Sequence, residues 1–322
     1  MPALDNTTAQ REKQWAAGSS VLAAIALTLL KVVVGLMTGS LGILAEAAHS
    51  ALDLVTALVT LFAVRASDKP ADQEHLYGHG KIENVSALFE TILLLLTCGW
   101  IAYEAVHRLI AKHVHVDASI WAFGVMAVSI LVDVSRSRVL HRTARKYGSQ
   151  ALEADALHFS TDVWSSSVVI LGLIGVRLGD VYPRHGAWLS RADSVAALGV
   201  SLIVIWVSLR LGKRTLQALL DTAPAGLSEQ IRTAVDGVPG ASGCHRVRVR
   251  PSGPGLFVDI HVYVDGSTTL ASAHDLTEAI EKRIGEVVPG ADVTVHPEPR
   301  PTDENDEKEP LPGTIRPLQD GE

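Results

Sequence analysis

The sequence predicts an all-α membrane bundle of six helices followed by a small α+β domain in the order αββαβ. Three observations carry that reading. Six stretches are apolar over the ~20 residues needed to cross about 30 Å of hydrocarbon. Arg and Lys collect on alternate connections between those stretches. Beyond residue 214 the long apolar runs end and short helical and strand-like periods replace them. The whole-chain figures agree: 48% of the 322 residues are hydrophobic and only 5% aromatic. The mean hydropathy of +0.24 lies above a typical soluble domain and below a pure membrane bundle, as two parts of unlike character would give.

The six spans run from Ala17 to Met37, Leu41 to Val64, Ile82 to Val106, Ala118 to Leu140, Ala151 to Val176 and Ser194 to Leu211. Lys31 interrupts the first, and its long stem allows it to snorkel or to pair inside the bundle. Asp133 falls near the end of the fourth. One side carries Arg11, Lys13, Arg65, Lys69, Lys81, the run Arg136 to Lys146, and Arg210, Lys213 and Arg214. The other side carries Arg108, Lys112, Arg177, Arg184 and Arg191. This bias places both termini in the cytoplasm, in agreement with an even number of spans. The first twenty residues are polar and show no cleavable signal, so the first span acts as its own insertion signal.

Residues 227 to 236 (LSEQIRTAVD) have helical spacing, and 245 to 251 (HRVRVRP) alternate as a half-buried strand does. In the next strand Val258, Ile260, Val262 and Val264 share one face, and Phe257, Asp259, His261 and Tyr263 the other. A helix from Ala271 to Val287 and a strand from Ala291 to His296 complete a small open sheet with helices on one face. About 80 residues make a marginal core, which a second copy would support. From Pro297 the chain is Pro-rich and acidic and reads as disordered. The expected divisions are a tail over 1–16, the membrane domain over 17–214, a cytoplasmic domain over 215–300 and an acidic tail over 301–322.

A formal charge of -7 with no sustained basic stripe excludes nucleic acid as a partner. Cys98 and Cys244 fall in regions of different character, so no disulfide framework is indicated. Cys244 reads as a buried small residue at a strand start or, beside His245, as a soft ligand.

The second span carries Glu46, His49 and Asp53 in an otherwise apolar run, and the fifth carries His158 and Asp162. In both pairs histidine precedes aspartate by four residues, which stacks the two side chains on one helix face. A lone polar residue such as Glu46, Ser50 or Asp155 is satisfied by an interhelical hydrogen bond. Two such His/Asp pairs together call for a shared partner, because an unpaired buried charge is expensive, and a cation is the simplest one. Two imidazoles and two carboxylates in a four-coordinate arrangement suit zinc, whereas an all-oxygen set suits manganese or magnesium. Iron, cobalt, cadmium and nickel stay open. An intramembrane metalloprotease would need an open metal position with a general base and a pattern such as HExxH, which is absent.

Two further clusters lie outside the spans. Asp72, His75 and His79, spaced three and four apart in DKPADQEHLYGHGK, fit a solvated loop with surface histidines or, brought together on one turn, a metal site. The terminal domain carries His245, His261, His274 and His296, with Glu298 two residues on; His261 lies on the polar face of its strand and His296 shares the face of Asp292, which fits a metal site or four scattered surface histidines.

Four motifs carry a resemblance: SLGILAEAAHSALDL, YGHGKIE, DALHFSTDVWSS and SGPGLFVDIHVYVD. On them the chain resembles the cation diffusion facilitator family, and within it the zinc-transporting members, from about Gly18 to Glu298. The resemblance implies a homodimer of six-span protomers with a metallochaperone-like, ferredoxin-like cytoplasmic domain. It implies a secondary transporter rather than an enzyme, exporting metal in exchange for protons across the cell membrane. Carried over by position, the transport site is His49, Asp53, His158 and Asp162, and the loop site is Asp72, His75 and His79. The binuclear cytoplasmic site is His245, His261, His274, His296 and Glu298, where relatives commonly have aspartate in place of Glu298. Lys81 and Asp221 stand where the family forms an interlocking salt bridge, and Leu157 where it has a hydrophobic gate residue. The two-histidine transport set resembles animal zinc transporters and favours zinc over cadmium. The alternatives are the same exporter with a preference for Fe2+, Cd2+, Co2+ or Mn2+, a transport-deficient metal sensor, and a channel, which would show no proton dependence.

Overall fold

A computed structural model describes residues 6–110, 120–181 and 186–300. The expected acidic tail over 301–322 lies outside the described residues. The chain divides into two units, one built on residues up to Leu220 and the other on Asp221 onward, with Ser252–Pro254 grouped with the first.

The first unit is helical: α1 (Asn6–Thr38), α2 (Leu41–Ser67), α3 (Lys81–Ile110), α4 (Ile120–Tyr147), α5 (Gln150–Val181) and α6 (Gly186–Leu219). Among the described residues three segments are long and apolar enough to cross a membrane: Thr7–Thr38, Glu46–Ser67 and Lys81–His107. Helix α1 packs on α2 and α4, α3 on α6 and α5, and α4 on α5. The helices overrun the apolar stretches from which the sequence places them. Helix α1 begins eleven residues before Ala17 because its first turns are held by polar contacts rather than by hydropathy: Gln10 and Gln14 donate to Asp68, and Lys13 pairs with it at 2.6 Å.

The polarity of this unit is inverted relative to a water-soluble bundle. Leu22, Leu29, Leu36, Phe62, Leu96 and Leu202 are exposed on the outside, while Lys13, Lys31, Asp53, Glu83, Glu90, Arg136, Asp155 and His158 are buried. An apolar exterior around an interior that holds these charges beside apolar clusters is stable where the surroundings are hydrocarbon. At its turn from α1 to α2 the chain passes Gly39 at φ 63°, and the Ser40 side chain caps α2 by accepting from Ile43 N. Just before the turn, a Cβ on Gly35 would stand 2.8 Å from Leu44 Cδ2, so glycine permits the close approach of α1 to α2.

The second unit holds α7 (Leu227–Asp236), β1 (Ser242–Ser252), β2 (Gly255–Val264), α8 (Leu270–Val287) and β3 (Asp292–Pro299), in the αββαβ order expected. The sheet order is β1-β2-β3, with β2 and β3 parallel. The apolar face of β2 is the buried one: Val258 and Val262 are fully enclosed, and Ile260 nearly so. It packs against Ile231 and Val235 of α7 and Ile280 and Ile284 of α8, each fully buried side chain contributing about 1.5–3 kcal/mol. Both helices therefore cover one face of the sheet, leaving His261 and its neighbours on the other.

The reading of disorder from Pro297 is corrected at its start. Pro297 and Pro299 belong to β3, where they stand opposite Val262 and Val264. Because β3 is an edge strand, a proline whose missing N–H points outward costs the ladder nothing.

Candidate metal centre

Helices α2 and α5 bring the four intramembrane residues together. His158 Nε2 lies 3.2 Å from Asp53 Oδ1 and 3.6 Å from Asp162 Oδ2. His49 Nε2 lies 3.8 Å from Asp162 Oδ1 and 3.9 Å from Asp53 Oδ1. Each histidine thus faces both carboxylates, its own helix's and the other's. One ligand atom each from His49, Asp53 and Asp162 all fall within 4.8 Å of one another. A tetrahedral ion with bonds of about 2.0–2.2 Å holds its ligand atoms about 3.3–3.6 Å apart, the range these separations bracket. Asp162 Oδ2 has no hydrogen-bond partner although it is buried.

The surroundings fix these side chains. The His158 ring meets Phe159 edge-on at 5.2 Å, and the Arg136 guanidinium sits 3.4 Å from the centroid of the same phenyl ring. Leu157 contributes to two apolar clusters, one with Ala87, Ala154 and Leu211 and one with Leu94, Cys98 and Val204. One turn from the cluster, buried Lys31 donates to Ser50 Oγ at 2.8 Å and pairs with Glu46 at 3.2 Å, which settles both the lysine and the two polar residues of α2 beside His49.

The loop between α2 and α3 gathers Asp72, His75 and His79. Asp72 Oδ1 is 3.3 Å from His75 Nδ1, Asp72 Oδ2 is 3.4 Å from His79 Nε2, and the two rings stand 4.3 Å apart. The carboxylate is oriented before any ligand arrives, because the backbone amides of His75 and Glu74 both donate to it. Those backbone bonds, with the His75 amide foremost, hold the Asp72 carboxyl below the usual carboxylate range.

In the second unit Glu298 is the hub. It faces His245 at 3.2 Å, His261 at 2.7 Å and His296 at 3.5 Å. The register explains the gathering: His261 is directly opposite His296 and Tyr263 opposite Glu298, so all four side chains stand on one face of β2 and β3. Burial works to raise the Glu298 carboxyl, but the hydrogen bond from His261 and the charges of His261 and His245 outweigh it and hold it below the ordinary range. The His245 ring stacks on Tyr263 at 4.4 Å. That approach needs Gly243, at φ 56°, where a Cβ would stand 2.6 Å from the Tyr263 ring.

One expected ligand, His274, is not brought to this cluster within the chain, and Cys244 takes the packing role that its place at a strand start suggests. His274 lies on the exposed side of α8, 3.6 Å from Glu278, in the helical layer rather than on the open face of the sheet. Cys244 is buried in the apolar core, and burial, with the charge of Asp236 second, pushes its thiol up to about 11. A protonated thiol turned into the core is a packing group rather than a ligand. Lys81 donates to Leu219 O at 3.5 Å, and Asp221 stands two residues further on at φ 57°.

Sequence reasoning missed a second set of buried charges. Glu83, fully enclosed, accepts from Lys13 and Ser67, each at 3.0 Å, and from Ser149. Glu90 accepts from Thr60 and Ser86. A lone carboxylate inside the apolar run ALFETILLLL was the available signal for Glu90.

A membrane bundle that encloses a His/Asp cluster and is joined to a domain bearing a His/Glu cluster is the build of an integral-membrane metal-ion carrier. Comparison with known proteins defines the family. The profile of the cation efflux transmembrane domain matches residues 19–220, and that of the cation efflux protein cytoplasmic domain matches residues 224–300. The cation-efflux pump FieF of Salmonella arizonae is 33% identical over 295 residues, covering 91% of this chain and 95% of that protein. FieF of Salmonella newport is 32% identical over the same coverage. The metal-bound C-terminal domain of the CzcD transporter from Thermotoga maritima is 32% identical, covering 23% of this chain and 86% of that structure, with a TM-score of 0.22. The Zn form of CzrB is 29% identical, covering 24% of this chain and 90% of that structure, with a TM-score of 0.22. The chain belongs to the cation diffusion facilitator family of cation efflux transporters. It is an integral membrane protein with a helical transmembrane domain and a C-terminal cytoplasmic α+β domain.

Proposed function

We propose that the chain exports a divalent cation, Zn2+ foremost, in exchange for protons. In this reading it works as a homodimer of six-span protomers in the cell (inner) membrane, with both termini in the cytoplasm. The observation that carries the reading is the cluster of His49, Asp53, His158 and Asp162, whose N···O separations of 3.2 to 3.9 Å suit a four-coordinate ion bound by two imidazoles and two carboxylates.

Metal requires neutral imidazole, so an ion entering from the cytoplasm displaces protons from His49 and His158. A protonated imidazole cannot ligate metal, so exposure to a more acidic exterior that returns protons to the cluster expels the ion. Inward proton flow thereby drives the ion outward as access alternates around a fixed site. Leu157, packed against side chains of α3 and α6 in both apolar clusters, serves as the gate beside His158. Asp72, His75 and His79 collect metal at the loop, and Lys81 with Asp221 forms the interlocking pair. The cytoplasmic domain, over 215–300, senses metal through His245, His261, His296 and Glu298. Metal there biases the bundle to the extent that it binds the two conformations unequally.

The test is metal uptake in sealed proteoliposomes carrying the unaltered chain or Asp162→Ala, offered zinc, cadmium, manganese or iron(II) under an imposed pH gradient. Zinc uptake that requires both the gradient and Asp162 is the expected result. Uptake of manganese or iron(II) in preference would refute the zinc assignment, and no uptake of any metal would favour a sensor.

A further inference from the structure

Two buried carboxylates stand apart from the four-ligand cluster. Glu90 of α3 is 3% exposed and Asp155 of α5 is 0% exposed. Each is half satisfied. Glu90 Oε1 accepts from Thr60 and Ser86, and Asp155 Oδ2 accepts from Ser20 at 3.3 Å. Glu90 Oε2 and Asp155 Oδ1 have no hydrogen-bond partner. Leaving a buried carboxylate oxygen unpaired is costly, so the orphan on each carboxylate calls for a partner that the neighbouring side chains do not supply.

Their place in the bundle identifies that partner. Helices α3 and α5 meet where Ala87 packs with Ala154. Glu90 lies one turn beyond Ala87, and Asp155 follows Ala154 directly. Asp155 precedes His158 by three residues, about 4.5 Å along α5 toward its Gln150 end. Thr60, which holds Glu90, lies seven residues past Asp53, about 10.5 Å along α2 toward the Arg65 end. Both displacements run toward the end of the bundle where Arg and Lys collect.

We propose that Glu90 and Asp155 form a second cation station, which takes a divalent metal ion in transit between the cytoplasmic end of the bundle and the His49, Asp53, His158 and Asp162 cluster. The proposal rests on the exporter reading. Its donors are all oxygen, two carboxylates with hydroxyls of Thr60 and Ser20 beside them. Such a set suits hard cations and holds zinc less tightly than imidazole does. Arg136, which donates to Ser20 Oγ at 3.0 Å, sets a fixed positive charge close to Asp155 and weakens the station further. Affinity then rises from the station to the cluster, and an ion moves on instead of stopping.

The experiment is a titration of the full chain in lipid nanodiscs with Mn2+ alone, counted by electron paramagnetic resonance, beside a separate count of tightly held Zn2+. Glu90→Gln and Asp155→Asn preserve shape and remove charge, and either alone suffices. Each is expected to lose one weakly held Mn2+ per chain while its tight Zn2+ count is unchanged, and to raise the KM for zinc uptake roughly tenfold, the lower end of what loss of a metal-orienting group causes. An unchanged Mn2+ count, or a loss of tight Zn2+ alongside it, overturns the proposal. Failure of the unaltered chain to move any metal would instead overturn the exporter reading, leaving the Mn2+ count to decide whether the station exists.

Discussion

Glu83 is the buried charge on which four helix ends converge, and its neutralisation has a calculable effect. Lys13 of α1 donates to it at 3.0 Å, Ser67 of α2 at 3.0 Å, and Ser149 at the start of α5 also donates, while Glu83 itself is in the first turn of α3. Breaking one side of a buried ion pair costs about 3–5 kcal/mol. Lys13 keeps a second carboxylate, Asp68 at 2.6 Å, so Glu83→Gln should fall at the lower end, about 3 kcal/mol. For a domain of this size that corresponds to a lowering of Tm by roughly 6–12 °C. Thermal unfolding of the detergent-solubilised chain, followed through its tryptophans, reads the shift, since all six lie before residue 220. The double variant Lys13→Met/Glu83→Gln removes both charges and should lose less stability than the sum of the single changes. A shift below roughly 2 °C for Glu83→Gln, or strict additivity in the double variant, would refute the claim that this buried pair ties the helix ends together.

Three further outcomes are expected. Because the Glu298 carboxyl is held low in the fold, it contributes stability that is present above the ordinary carboxylate range and fades as pH falls through its lower folded value. Glu298→Gln should therefore flatten the acid limb, measured as deuterium exchange of residues 255–264 compared with the unaltered chain at each pH. Cys244, with its thiol pushed up to about 11, should resist iodoacetamide at pH 8 in the folded chain and react after denaturation, which a mass shift records. Gly243→Ala sets a Cβ within 2.6 Å of Tyr263 at a positive φ, and should destabilise the second unit by about 1–3 kcal/mol while displacing His245 from its stack. An unperturbed His245 resonance in that variant would count against the packing argument.

Much of the architecture was open to reading before any coordinates. The parity of LFVDIHVYV separated Val258, Ile260 and Val262, now buried, from His261 on the open face. Helix ends were less legible. Hydropathy marks where the chain is apolar, yet α1 starts at Asn6 because Gln10, Lys13 and Gln14 find Asp68 across 54 or more residues of sequence. Pro297 and Pro299 suggested a break, and only the position of β3 at the sheet edge shows why the strand tolerates them.

The site divides along the same line. By itself the sequence determined which side chains share a helix face, because i and i+4 spacing is a local property: His49 with Asp53, His158 with Asp162. Tertiary structure alone decided which faces meet. It set His158 closer to Asp53 of the other helix than to its own Asp162, drew His245 and His296 onto Glu298, and left His274 on the helical layer. It also enclosed Glu83, Glu90 and Asp155, whose roles depend on partners scattered over four helices. Local periodicity follows from backbone geometry, which every residue carries with it, whereas a buried charge is defined by what the rest of the chain places around it.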